Sequence, residues 1–299
     1  MISVAPQQVF FMKKLALSCF IISKNEADRI AQTIRSVASW VDEVVVVDSE
    51  STDATVHVAT TEGCRVITQP WLGFGPQKRF AEDQCRHPWV LNLDADEVVT
   101  PALREEIIAA FANGDPAEIA YAIPLDLVYP GEERPRPWAR DHLYVRLYDR
   151  RVVRFRDSLV HDAVVTGDRA VGVLRAPAFH YSFRTYADLK RKLAERMLLS
   201  AEHANCSSRM ALLARLVLEF PINFLKYYVT RRHFTGGLKG LRYAWIQASF
   251  RQVKVAHMWR TRYSRHRTMV RRADQTSPLP EFVLRPQTPP AGEIYAERA

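Results

Sequence analysis

The feature that most limits what this chain can fold into is an alternation, between residues 15 and 112, of short apolar runs with segments of helical spacing. Apolar runs occupy residues 15–22, 44–47, 65–67 and 89–93. Each has a length suited to a strand buried on both faces. Between them Ile30, Ile34, Val37 and Val41 recur at helical spacing after a cap at Asn25, and Leu103, Ile107 and Phe111 do so after the start signal Thr100-Pro101. Strands alternating with helices predict a parallel sheet with helices on both faces. With 299 residues the chain is long enough to bury such a core.

In sheets of this kind ligands bind outside the carboxyl ends of the strands, and here those ends carry unusual residues. The first run leads into "SKNE" (Ser23 to Glu26), the second into "DSESTD" (Asp48 to Asp53) and the fourth into "DADE". Asp94 and Asp96 flank a single residue, and two carboxylates so placed repel each other. A divalent cation would offset that repulsion, and Mg2+ or Mn2+ commonly binds through one or two carboxylates plus substrate phosphates. Asp48, after four valines, has two readings: a cap for the next helix, which Ser51 or Asp53 could also supply, or an acceptor for a nucleotide base or ribose hydroxyl. Lys78 and Arg79 in "GFGPQKRFA" lie on a predicted helix whose Gly73 and Gly75 permit a tight approach. A cation there either neutralises a diphosphate or is an ordinary surface charge.

From about residue 119 to 181 the rhythm changes to alternation, as at Leu143, Val145 and Leu147, which predicts antiparallel hairpins covering or extending the sheet. The proline-rich "YPGEERPRPW" (Tyr129 to Trp138) is a loop and a candidate lid. Beyond Tyr186 the pattern is helical. Met210, Leu213, Leu216, Val217 and Phe220 form one stripe, and Pro221 is expected to break or kink that helix. The segment from Thr276 is proline-rich and reads as disordered.

The net charge of +9 is unevenly distributed. Residues 134–275 hold 30 Lys and Arg against 10 Asp and Glu, whereas the rest of the chain is acidic. A basic half implies an anionic partner (nucleic acid, an acidic membrane surface or a phosphorylated substrate) or simply a solvated cationic face. Nucleic acid fits poorly, because the acidic strand ends would repel its phosphates. A nucleotidyltransferase would usually show a glycine-rich loop after the first strand, and "ISKNEAD" has no glycine. Cys19, Cys64, Cys85 and Cys206 match neither a disulfide framework nor a zinc spacing, which points to a reducing compartment, the cytoplasm. "MKKLALSCFII" imitates a signal peptide, but its short apolar run leads straight into "SKNE" and reads as a first buried strand.

Taken in order, "LSCFIISKNEADRIAQTIRSV", "VDEVVVVDSESTDAT", "GFGPQKRFA" and "WVLNLDADE" closely resemble the amino-terminal half of family 2 glycosyltransferases. The later "RLYDRR", "SLVHD" and "FPINFLKYYVTRRHFTGGLKGLRYAW" resemble the branch containing bacterial lipopolysaccharide core glucosyltransferases, so the resemblance spans most of residues 15–255. It implies a GT-A (Rossmann-like) fold of the α/β class, with a mixed sheet, helices on both faces and a helical basic carboxyl-terminal extension. It also implies a nucleotide-diphosphate sugar donor such as a UDP-hexose, a divalent metal (Mg2+ or Mn2+), and inversion at the anomeric carbon. Carried over by motif, Ser23, Asn25, Glu26 and Asp48 contact the nucleoside, Lys78 lies near the diphosphate, and Asp94 and Asp96 serve ribose and metal. The general base falls on the pair His161-Asp162, with Asp where Glu is more usual and Asp157 as the fallback.

The expected organisation is a tail at 1–14, a nucleotide-sugar-binding and catalytic domain at 15–185, a basic helical membrane-associating region at 186–275 and a tail at 276–299. The expected acceptor is a lipopolysaccharide-core or lipid-linked glycan. The expected location is the cytoplasm, peripheral at an anionic inner membrane face, with no nucleic-acid partner. No run approaches the roughly 18 apolar residues that span a bilayer.

Overall fold

In the computed structural model the residues described are 14–138, 142–158, 163–202 and 208–261, with side chains of 196–202 left aside. Four strands, β1 (Leu15–Ser23), β2 (Val41–Asp48), β3 (Arg65–Thr68) and β4 (Trp89–Asp94), form a parallel half-sheet in the order β3-β2-β1-β4. The helices between them are α1 (Ile30–Val37), α2 (Thr55–Thr61) and α3 (Phe74–Gln84). Alternation along each strand decides which helices go where. Leu17, Cys19 and Ile21 of β1, with Leu91 and Leu93 of β4, face one way and pack on Ile30, Ile34 and Val37 of α1 and Ala59 of α2. Phe20, Val45, Val47 and Val90 face the other way, onto Ala81 and Cys85 at α3. Each fully buried Phe or Val contributes about 1.5–3 kcal/mol of transfer free energy, so this two-sided burial fixes strand register.

After Asp94, two residues turn the chain into β5 (Glu97–Val99), followed by α4 (Pro101–Ala110), where Thr100 caps by accepting from the Leu103 N–H with Pro101 in the first turn. The second half of the sheet comprises β6 (Ala120–Leu127), β7 (His142–Asp149), β10 (Gly172–Val173) and β11 (Ala178–His180), while β8 (Arg154–Phe155) and β9 (Val164–Val165) pair separately. The path continues β4-β7-β6-β11-β5. Because β5 follows β4 after only two residues yet ends that path, the sheet has to curl until its far edge returns to the mouth of β4. Expected hairpins are realised in β6–β7, but β10 and β11 join β6 in parallel, since the long connection after β7 carries the chain back to the same end.

The carboxyl-terminal region holds α5 (Tyr186–Glu202), α6 (Arg209–Leu225) and α7 (Gly237–Trp259). Leu189 and Leu193 of α5 and Ile246 of α7 bury against Leu127, Tyr129 and Phe183, joining these helices to the end of β6. Helix α6 lies against α7 through Leu212, Leu216, Val255 and Met258.

Three local expectations need correction. Asn25 does not cap α1: it sits in the left-handed region (φ 56°), and the helix starts after Arg29 without a side-chain cap. Val41 opens β2 instead of extending the helical stripe, because Ala38 already ends α1. Pro221 does not end α6, which runs on to Leu225 and only then loosens into a π turn at Lys226–Thr230. Cys206, most of the 1–14 tail, and the 276–299 tail lie outside the described residues.

Candidate active site

Register places the acidic strand ends in one row. Ser23 pairs with Asp48 between β1 and β2, and Ile22 pairs with Asp94 between β1 and β4. Asp48 is buried, and its oxygens accept from the Ser23 hydroxyl (3.0 Å), the Ser51 hydroxyl (2.6 Å) and the Ser51 N–H (2.7 Å). It thereby ties together the loops that follow β1 and β2. Asn25 extends the tie, donating its N–H to Ser51 Oγ and accepting from the Thr52 N–H, both at 2.8 Å. Asn25 and Glu50, at φ 56° and 57°, are non-glycine residues in the left-handed region on neighbouring loops. Strain of this kind, about 1–3 kcal/mol each, concentrates where a ligand is held.

Asp94 stands at the end of β4 on the side facing α3. There Lys78, which is fully buried, brings its Nζ to 2.9 Å from one Asp94 oxygen, and Arg146 of β7 brings Nη2 to 2.9 Å from the other. Lys78 is therefore a core cation of the site and no surface charge, and it also lies 5.1 Å from the Phe155 ring centroid. Arg146 further donates to Asn92 Oδ1 (2.6 Å), two residues before Asp94 and so on the same face of β4, and to buried Glu97. Burial opposes ionisation of Asp94, but the charges of Arg146 and Lys78 outweigh it and hold its carboxyl well below the usual range. Glu97 moves oppositely: burial, with Asp94 and Asp96 nearby, pushes it up to about 8 although Arg146 pulls down. Two adjacent acids are thus driven apart by their surroundings.

Asp96 points away from this pair. Its carboxylate lies 3.5 Å from Arg29 Nη1 and 3.6 Å from His180 Nε2, and its carbonyl accepts from the Tyr181 N–H. His180 arrives because β11 pairs with β5, placing it opposite Glu97. Burial lowers the pKa of His180, against the pull of Asp96, and so favours the neutral imidazole. Glu26 accepts from Arg29 and Arg184, and burial raises its pKa against the opposing effect of Arg29. Arg184 also pairs with Asp28 at 2.6 Å.

Ser23, Asn25, Glu26, Asp48, Lys78, Asp94 and Asp96 all come together at the carboxyl ends of β1, β2 and β4. The tight approach allowed by Gly75 is to backbone: a Cβ there would meet Arg156 O at 2.1 Å, and the Gly75 N–H bonds Ser158 O at 3.0 Å. This fixes the segment that carries Asp157. His161 and Asp162 lie outside the described residues. Sequence reasoning missed Arg29, Glu97, Arg146, His180 and Arg184 as members of the site. A signal for Arg146 was present, since it is the polar position within the alternating Leu143, Val145, Leu147 strand. A lone His180 carries no comparable pattern.

Against known proteins, residues 18–167 match the model described as Glycosyl transferase family 2. A protein of Rickettsia prowazekii (strain Madrid E), named an uncharacterized glycosyltransferase, is 38% identical over 258 residues, covering 83% of this chain and 87% of its own. The lipopolysaccharide core biosynthesis glycosyltransferase LpsC of Rhizobium meliloti (strain 1021) is 28% identical over 259 residues, covering 85% and 94%. The chain belongs to glycosyl transferase family 2 and is a glycosyltransferase. Its curled mixed sheet with helices on both faces and a helical carboxyl-terminal extension is the expected GT-A architecture.

Proposed function

We propose that the enzyme transfers a hexose, with inversion, from a UDP-type sugar donor to a lipopolysaccharide-core or lipid-linked glycan at an anionic membrane face. The observation that supports this most is the row of strand ends, where Asp48, Asp94 and Asp96 follow one another and Asp94 meets two deeply set cations, Lys78 and Arg146. Carboxylates in such a row suit nucleoside hydroxyls and N–H groups, and cations suit a diphosphate. The similarity to LpsC supports the acceptor class.

For the metal, the residues fit with one refinement. Asp94 is held by Lys78 and Arg146, which favours a role toward the donor's ribose. Asp96 faces His180, and a carboxylate with a neutral imidazole forms a borderline pair that accepts Mn2+ more readily than all-oxygen Mg2+. Among the described residues no group of three or more His, Cys, Asp or Glu forms a cation cage, so a metal held by Asp96 would need further ligands from the donor and water. The metal, when bound, supplies Lewis-acid stabilisation of the departing diphosphate. Lys78 and Arg146 share that developing charge, and the loops of Asn25 and Glu50 hold the nucleoside. The acceptor hydroxyl forms its bond to the anomeric carbon as the bond to the diphosphate breaks, and its proton passes to Asp162, paired with His161. Asp157 is the alternative base.

A panel of UDP-, GDP- and dTDP-sugars with Mn2+ or Mg2+, scored by thermal shift and nucleoside diphosphate release, tests this reading. One donor should both stabilise the protein and turn over only with metal. Asp162→Asn should keep donor binding and lose about 100-fold or more in turnover. Metal-independent turnover, or a panel with no stabilising donor, would contradict the reading.

A further inference from the structure

The outward face of α6 breaks the usual surface pattern. Met210, Val217, Leu218, Ile222 and Leu225 lie on it, with Met210 74% and Val217 72% exposed, and charge begins only at its flank, with Arg215 and Lys226. Helix α7 adds Leu238, 84% exposed, and Trp245, whose ring packs edge-on to Phe220 of α6. Single exposed apolar side chains need no partner, but a contiguous stripe on two packed helices does.

Charge identifies the partner. Residues 208–261 hold ten Lys and Arg against one acid, Glu219, which is already paired with Arg215. The basic residues gather toward both ends of the hairpin, Lys226, Arg231 and Arg232 at the bend and Arg209, Lys254 and Arg260 at the other end. A second copy of the chain would bring the same positive charge against it, and nucleic acid would leave the apolar stripe uncovered. An interface that is apolar at its centre and anionic around it satisfies both features. Among the described residues no helix is long and apolar enough to cross a membrane.

The hairpin is also fastened to the site. Tyr129, just past the end of β6, hydrogen-bonds His233 Nδ1 at 2.5 Å, and His233 stacks on Tyr243 at 4.5 Å. Gly240 lets this turn close, since a Cβ there would meet His233 O at 1.8 Å. The loop expected to be a lid is anchored to the same element: Arg136 donates to Arg231 O (2.9 Å) and the Thr235 hydroxyl to Pro137 O (2.9 Å). That holds two exposed aromatics, Trp138 and Phe234, on neighbouring residues. Leu127, two residues before Tyr129, pairs in register with His180, which faces Asp96.

We propose that the α6–α7 hairpin lies in the interface of an anionic lipid leaflet, its apolar stripe among the upper acyl chains and its basic ends on headgroups. Through Tyr129, His233 and the 129–138 loop it sets the active site at a fixed height above that surface. The surface itself stands independently of the chemistry; that it delivers a lipid-anchored acceptor rests on the glycosyltransferase reading above.

The full chain should be tested by sedimentation with vesicles of phosphatidylcholine, alone and mixed with phosphatidylglycerol, at rising salt. The parent should bind the anionic vesicles and lose them with salt. The double variant Ile222→Glu, Leu238→Glu should bind at least tenfold more weakly, with unchanged melting temperature and unchanged donor hydrolysis in lipid-free buffer. Lys226→Gln with Arg232→Gln should reduce salt-sensitive binding while leaving the same two controls in place. Indifference of the parent to lipid charge would overturn the proposal. So would equal vesicle binding by the double variant, or a dimer in light scattering that the double variant splits while no vesicle binds. Donor hydrolysis without lipid reads the catalytic assignment separately, so either can fail alone.

Discussion

The strand-end cluster and the α6–α7 hairpin invert the usual rule in opposite directions. At the cluster, Lys78, Glu97 and Arg146 are ionisable residues buried in the core; on the hairpin, Val217, Ile222 and Leu238 are apolar residues left in water. Both inversions cost free energy to the isolated chain. The cluster offsets its cost internally, Lys78 and Arg146 each meeting Asp94 within hydrogen-bond distance. The hairpin cannot offset its cost without a surface outside the chain. Function in this molecule is therefore found where polarity and burial disagree, and the way each disagreement is resolved separates a ligand site from a docking face.

The largest expected effect comes from breaking the internal compensation. Arg146→Met leaves Glu97 and Asp94 without their shared cation and should cost about 3–5 kcal/mol in urea unfolding. A loss below about 1 kcal/mol would mean the cluster is not held by that charge. Gly75→Ala should cost about 1–3 kcal/mol, because its Cβ would press on backbone at Arg156 that cannot rotate away; a stability equal to the parent's would show that the 156–158 segment can shift. Arg35→Gln is the control for a charge outside the cluster. Its pair with Glu62 is 2.5 Å long, but Arg35 is 70% exposed, so the loss should be small beside that of Arg146→Met and should shrink with salt. Smallest of all, Ile222→Ser removes an exposed side chain and should change stability by no more than about 0.5 kcal/mol. A larger loss would place Ile222 in a packed core and remove the contrast between the two regions.

The parallel half of the sheet was legible in the sequence because its signal is local. Four apolar runs, their length and their acidic endings fixed β1 to β4 and the row of Ser23, Asp48 and Asp94. The other half of the site was not legible, because it depends on closure of the curled sheet. Arg146 and His180 are 52 and 86 residues from Asp94, and only the pairing of β4 with β7 and of β11 with β5 brings them near. The antiparallel signal at residues 119–181 gave β6 and β7 but could not foresee that β11 would join β6 in parallel. Lys78 was ambiguous for a related reason. Its helix pattern is weakly amphipathic, and its burial follows from Asp94 and Phe155 approaching from other elements. Pro221 does not break α6, because packing on α7 continues past it, Phe220 and Phe224 both meeting Trp245.

The most direct test is calorimetric titration of the preferred UDP-sugar into the parent and Asp96→Ala, each with Mn2+ and with a chelator. The account predicts that Mn2+ strengthens donor binding to the parent at least tenfold, that the chelator removes this gain, and that Asp96→Ala shows the weak, metal-independent affinity throughout. Equal Mn2+-dependent affinity in both proteins would contradict the assignment of Asp96, and with it the claim that these strand ends form the donor site.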